Sequence, residues 1–215
     1  QLGWPSAGEI NPHLLRLPDG RLLMAYQRLG GGAHVAVSDD DGASWDQDRS
    51  PISPGFAALP RLAYRPSDGR LLAMYQTGNN PVTIWSRTST DPLSWTGPVH
   101  ALATGFNDHD PWPVAMADGR FAVLWARSAG GAFQIHSAHS ADGLHWSAPV
   151  LHNPRLGLGN VQPHISGSQG RAGRVELYWG AAQTAGLSNL DIWRQPGVIV
   201  IEAIFADGFQ ALPGQ

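Results

Sequence analysis

The sequence predicts an all-β fold, a β-propeller of about four four-stranded antiparallel blades, and three observations carry that prediction. The segment SDDDGASW (Ser38–Trp45) returns in shortened form as STDPLSW (Ser89–Trp95) and SADGLHW (Ser140–Trp146), with leading serines 51 residues apart each time. A second motif keeps the same period: Asp19-Gly20-Arg21, Asp68-Gly69-Arg70, Asp118-Gly119-Arg120 and a degenerate Ala172-Gly173-Arg174. Eight to ten residues before each Gly comes a proline (Pro12, Pro60, Pro111, Pro163), and six residues after it an aromatic (Tyr26, Tyr75, Trp125, Trp179). Four anchors recurring in one order, with strand-like sequence between them, describe a stack of equivalent β-units.

The first unit shows how each period divides. Asn11–Leu17 reads as a strand, the Asp-Gly pair as a hairpin turn, and Arg21–Arg28 as the return strand. Ala33–Ser38 is the third strand, and after the Asp-containing turn the fourth runs from Trp45 onward. Glycine in the hairpin supplies the positive φ that a tight turn requires. On this pattern the single domain occupies residues 1–205, with blades at about 11–57, 58–107, 108–160 and 161–205. The fourth lacks the Ser-x-Asp turn and carries SNLDIWRQPG in its place, as expected of a modified closing blade. Trp4 precedes Pro12 by eight residues, against 15, 16 and 17 for the later Trp-to-Pro intervals. The N-terminal segment is therefore expected to supply an outer strand to the last blade and close the ring. A missing blade, or closure by association of chains into a homo-oligomer, is the alternative. Residues 206–215 are expected to fray.

Composition narrows the function classes. The chain is 42% hydrophobic with nine Trp, 26 Gly and 17 Pro but only 14% charged, which suits many short strands and turns. A net charge of −3 without a basic block argues against nucleic acid as a partner. All 14 basic residues are Arg, so Schiff-base chemistry, a Walker-type phosphate loop and Ser–Lys catalysis are excluded. The absence of Cys removes thiol nucleophiles, disulfides and Cys-ligated zinc. The longest apolar run, Val198 to Phe205, is too short to span a membrane, so no membrane partner is expected. A chain opening at Gln1 without initiator Met reads as mature or trimmed, and a secreted, periplasmic or cell-surface location is the expectation.

SDDDGASW matches the Asp-box, or BNR repeat, S-x-D-x-G-x-x-W, and the other two copies match it with one residue deleted. Together with NPHLLRLPDGRLLMAYQ, this resembles the sialidase superfamily of β-propellers over residues of about 9 to 195. The resemblance implies a carbohydrate-directed propeller, in proteins that hydrolyse, cleave or only bind glycans. It does not carry over the Arg-Ile-Pro motif or the arginine triad of sialidases: the residues two before each Pro are Ile10, Ala58, His109 and Val161, none of them Arg. NDHDPWPVAMADGRF also resembles the Asp-Pro segment of five-bladed arabinanase-like hydrolases, which implies a base role for Asp110. The box residues Asp40, Asp91 and Asp142 read as turn formers rather than as a site.

Chemistry is expected where the innermost strands open. One residue after each Pro stand His13, Arg61, Trp112 and His164; one before, Asn11, Leu59, Asp110 and Gln162; three before, Glu9, Ala57, Asp108 and Asn160. Scaffold positions in a repeat tend to repeat, whereas these vary and are polar or aromatic, as a binding ring would be. Glu9 with Asp108 or Asp110 supplies the two carboxylates that glycoside hydrolysis needs, although Asp108 and Asp110 also suit a turn before Pro111. Trp112 offers a stacking platform, and Asn11, His13, Arg61, His109, Gln162 and His164 the polar lining. Arg61 and the histidines equally permit a lyase acting on uronates. No H-x-H or HExxH spacing supports a metal, and no cofactor is expected. Glycosidase, glycan-binding module or protein-interaction propeller, and polysaccharide lyase are the readings in that order, each with a carbohydrate or partner bound on this face.

Overall fold

The computed structural model describes residues 8–129, 132–152, 160–166, 174–182 and 190–198, with side chains described for 8–128 and 133–152. Strands β1 (Glu9–Arg16), β2 (Leu22–Arg28), β3 (Ala33–Ser38) and β4 (Asp46–Gln47) pair in that order as one antiparallel sheet. Strands β5 (Ala58–Arg65), β6 (Arg70–Thr77), β7 (Thr83–Ser89) and β8 (His100–Ala101) form the second. Strands β9 (Asn107–Ala115), β10 (Phe121–Ala129), β11 (Ala132–Ser140) and β12 (Val150–Leu151) form the third. Strands β13 (Asn160–Ser166), β14 (Arg174–Ala182) and β15 (Leu190–Val198) make the described part of the fourth. Strand β1 opens at Glu9, two residues ahead of the expected Asn11, and the outermost strands β4, β8 and β12 hold two residues each. The expected closing segment at residues 1–7 and the tail at 206–215 lie outside the described residues.

Each turn forms from residues adjacent in sequence. In the first Ser-x-Asp turn, Ser38 Oγ donates to Asp40 Oδ1 at 2.7 Å and accepts the Gly42 N–H at 2.8 Å. Asp40 accepts the backbone N–H and the hydroxyl of Ser44, and Trp45 Nε1 donates to Gly42 O at 3.0 Å. The later copies repeat the scheme: Asp91 accepts the Leu93 N–H, and Asp142 accepts those of Leu144 and His145. These bonds hold Asp40 down at about 2 and, against the opposing effect of burial, drive Asp142 lower still. In the Asp-Gly-Arg hairpin of the second blade Asp68 is held at about 2, chiefly by its hydrogen bonds from the Arg65 guanidinium. The side chains are spent on turn geometry.

The core lies between sheets. Strand β6 reads LLAMYQ without polar alternation, which suits burial on both faces. Its Leu71, Ala73 and Tyr75 pack toward the first sheet with Leu23, Val35 and Ile52. Its Leu72 and Met74 pack toward the third with Phe121, Val123 and Trp125. Burying one such Leu, Met or Phe side chain stabilises by about 1.5–3 kcal/mol. Trp95 packs in the first of these layers and Trp146 against the second, so a repeated tryptophan seals each interface. Polar bonds also cross between sheets: Arg65 donates to Gly119 O and Ala141 O, and Arg87 to Pro51 O and Ile52 O. The innermost strands meet in succession, β1 with β5, β5 with β9 and β9 with β13. This convergence brings the residues flanking the prolines together.

Candidate functional site

Each innermost strand carries the same irregularity at its proline. The pairing register shifts between Ile10 and His13, between Ala58 and Arg61, between Val161 and His164, and on β9 opposite the Leu124–Ala126 step. The residue before proline takes a left-handed backbone in three of them, with φ of 54° at Asn11, 50° at Leu59 and 57° at Asp110. A residue before proline ordinarily prefers extended backbone. A non-glycine in this region costs about 1–2 kcal/mol, least for Asn and Asp. Bulges of this kind bend a strand and re-aim a side chain, and they concentrate beside functional sites.

The re-aimed side chains meet. The rings of His13 and Trp112 lie edge to face, with centroids 5.3 Å apart and planes at 87°. Arg61 Cζ lies 5.4 Å from the centre of the Trp112 ring. His13 comes from the first blade, Arg61 from the second and Trp112 from the third, each one residue after its proline. His13 Nδ1 accepts the Leu62 backbone N–H at 3.2 Å, which requires a lone pair on that nitrogen and leaves the ring proton on Nε2. Arg61 donates to Pro60 O at 2.9 Å. Burial lowers its pKa, and the nearby Asp110 carboxylate opposes that shift. Asn11 Nδ2 donates to Gln27 Oε1 at 2.9 Å, and the Asp110 backbone N–H to Gln76 Oε1 at 2.8 Å, so a glutamine braces two of the bulges.

The candidate carboxylates separate into different environments. Asp108 is buried and accepts two bonds from Arg127, at 2.6 and 2.8 Å, with side-chain exposures of only 2% and 8%. Arg127 also lies over Phe106, 3.8 Å from the ring centre. Glu9 lies 3.5 Å from Arg28 Nε, with both groups partly exposed. These two pairs are one motif: Glu9 faces Arg28 and Asp108 faces Arg127 at equivalent places in the ladders. Asp110, two residues along, is partly exposed beside Arg61. His109 packs edge-on against Phe133 at 5.2 Å, and its pKa is lowered chiefly by burial, with Asp110 and Asp108 opposing. Gln162 and His164 lie on β13, and their side chains are outside the described ones. Among the described residues no three of His, Asp and Glu gather as a metal site would require. A cavity of about 270 Å³ between Arg65 and Gly119 lies at the far ends of β5 and β9, away from this cluster.

Sequence reasoning missed Arg127, Arg28, Gln27 and Gln76. Their signal was present: Arg28 and Arg127 both stand eight residues after the turn glycine, in the two blades whose position three before proline is acidic. The other two blades have Ala57 with Thr77, and Asn160 with Ala181.

No protein-family profile and no curated protein matches this sequence. Solved structures match by shape. A thermostable family-43 glycoside hydrolase superposes with a TM-score of 0.62 at 16% identity, covering 90% of this chain and 70% of that one. The endo-arabinase of Bacteroides thetaiotaomicron gives 0.63 at 18% identity, covering 93% and 76%. A protein of unknown function from Dyadobacter fermentans gives 0.65 at 19%, covering 88% and 65%. The fold is a β-propeller. The Asp-box resemblance pointed to sialidases within that architecture, whereas these neighbours carry the names of a family-43 enzyme and an arabinan-cleaving one.

Proposed function

We propose that this propeller binds a carbohydrate chain across the open ends of its inner strands and cleaves glycosidic bonds there. The observation that carries the reading is the meeting of His13, Arg61 and Trp112, delivered by three separate blades, beside Asp110. Trp112 gives a flat apolar face for a sugar ring. Asp110 and Glu9 are the two carboxylates, one donating a proton to the leaving oxygen and the other serving as base or nucleophile. Asp108 is the weaker candidate, because its oxygens are held by Arg127. The glycan-cleaving names of the structural neighbours support the same class of substrate. The three Ser-x-Asp turns support kinship of the scaffold with Asp-box propellers, without the sialidase arginine triad. Polymeric glycans lie outside the cell, which fits a secreted, periplasmic or surface location.

A binding-only role is the second reading, favoured by the ion pair between Glu9 and Arg28. One experiment separates the two. The protein is incubated with arabinan, xylan, galactan, pectate and alginate, and reducing ends and the ultraviolet absorbance of unsaturated uronates are followed. Hydrolysis predicts reducing ends without that absorbance, and both signals together would indicate a lyase instead. Glu9→Gln and Asp110→Asn should each lower turnover by about 100-fold or more. Binding without any product would leave the module reading, and neither binding nor product would sink the proposal altogether.

A further inference from the structure

The arginines with described side chains are almost all engaged by carboxylates or backbone carbonyls. Among those with described side chains, eight form ion pairs with carboxylates. Arg87 instead donates to three backbone carbonyls, those of Gly97, Pro51 and Ile52. Arg61 differs from both groups: its one hydrogen bond goes to the adjoining Pro60 carbonyl, and no carboxylate lies within ion-pair distance among the described residues. A guanidinium carries five N–H donors in a planar fork, and withdrawing it from water without a matching anion is costly. Here it is partly buried, stacked on Trp112 and influenced by Asp110 only through space. The left-handed turn at Leu59 and the register shift beside it set this side chain at the strand opening.

We propose that Arg61 is a specificity residue for anionic glycans, its fork receiving the carboxylate of a uronosyl unit whose ring stacks on Trp112. The inference rests on the glycan-binding reading of this site and adds the charge of the ligand. Two parallel N–H···O bonds from one guanidinium match a carboxylate in plane and spacing, which a hydroxymethyl group cannot reproduce. Arg61 differs from the arginine that sialidase propellers place two residues before proline, since it follows the proline by one.

Matched ligands test this on the intact protein. Tetragalacturonate and its carboxyl-reduced neutral counterpart share linkage and ring stereochemistry, as do tetramannuronate and its reduced form. Titration calorimetry should show at least one acid binding about 10- to 100-fold more tightly than its neutral partner. The ratio should shrink as salt is raised from about 0.05 to 0.5 M. Arg61→Met, which keeps the apolar stem, should collapse the acid-to-neutral affinity ratio toward one, and a ratio that the variant retains in full would overturn the assignment. Equal affinities for acid and neutral partners in the wild type, or binding of arabinotetraose alone, would overturn the anion assignment while keeping the glycan reading. Absence of binding to every ligand would overturn both. The wild-type comparison decides the matter even if the variant fails to fold.

Discussion

Asp108→Asn is the substitution that best separates scaffold from site. Asp108 and Asp110 flank one histidine on one strand, but Asp108 is 1% exposed and is held by both Arg127 Nε and a terminal nitrogen. An amide in its place retains one acceptor and leaves a buried guanidinium without a counter-charge. Breaking a buried pair by removing one partner costs about 3–5 kcal/mol. For a chain of this size each kcal/mol moves the thermal midpoint by about 2–4 °C, so the loss should be about 6–20 °C. Asp110→Asn keeps the backbone bond to Gln76 and suits the left-handed backbone, so its midpoint should fall clearly less than that of Asp108→Asn. Glu9→Gln touches a partly exposed pair at 3.5 Å and should cost about 1 kcal/mol or less. Calorimetric melts of the three variants, paired with cleavage assays well below the lowest midpoint, measure both properties. The double variant Asp108→Leu with Arg127→Met should recover most of the lost stability. An Asp108→Asn midpoint within about 3 °C of wild type would refute the buried-pair reasoning. Lost turnover in that variant at full stability would return Asp108 to the catalytic pair.

Two further outcomes follow from the same geometry. Burial drives His152 down to about 4, against an ordinary 6.5, and also lowers His109, His136 and His139. The unfolded chain therefore takes up protons that the folded one refuses, so stability is whole above about pH 6.5 and falls as pH drops toward 4. His152 alone accounts for about 3 kcal/mol of this at most. Melting at successive pH values should show the decline, and His152→Asn should flatten it; a midpoint unchanged between pH 7.5 and 4.5 would contradict the burial argument. At Leu59, with φ of 50°, Asn should be tolerated while Val should destabilise by about 1–2 kcal/mol relative to Asn, read from urea midpoints. Equal midpoints for the two variants would mean that the bulge relaxes freely.

The turns were legible in the sequence because their chemistry is local. Ser38, Asp40, Gly42 and Trp45 find their partners within a few residues, so the motif alone defines the bonds. The anchoring prolines were legible for a similar reason, since a period of 51 residues repeats one structure. The ladders confirm the turn-to-strand order of the first unit and shorten its fourth strand to Asp46–Gln47. Within the candidate ring, the approach of His13, Arg61 and Trp112 was legible as a shared position one residue after proline. The division of labour between Asp108 and Asp110 was not. Both are acids before a proline, and only partners 19 residues away on β10 and 34 residues away on β6 tell them apart.

What the sequence determined by itself was the repeating unit, its turns and the strands between them, because those depend on contacts inside one period. The tertiary structure decided which charges are neutralised and which are left facing the opening. That outcome depends on the bulge at each proline, which shifts the register and sends neighbouring side chains to opposite fates. Asp108 goes inward to Arg127, while Arg61 goes to Trp112 with no carboxylate within ion-pair distance among the described residues.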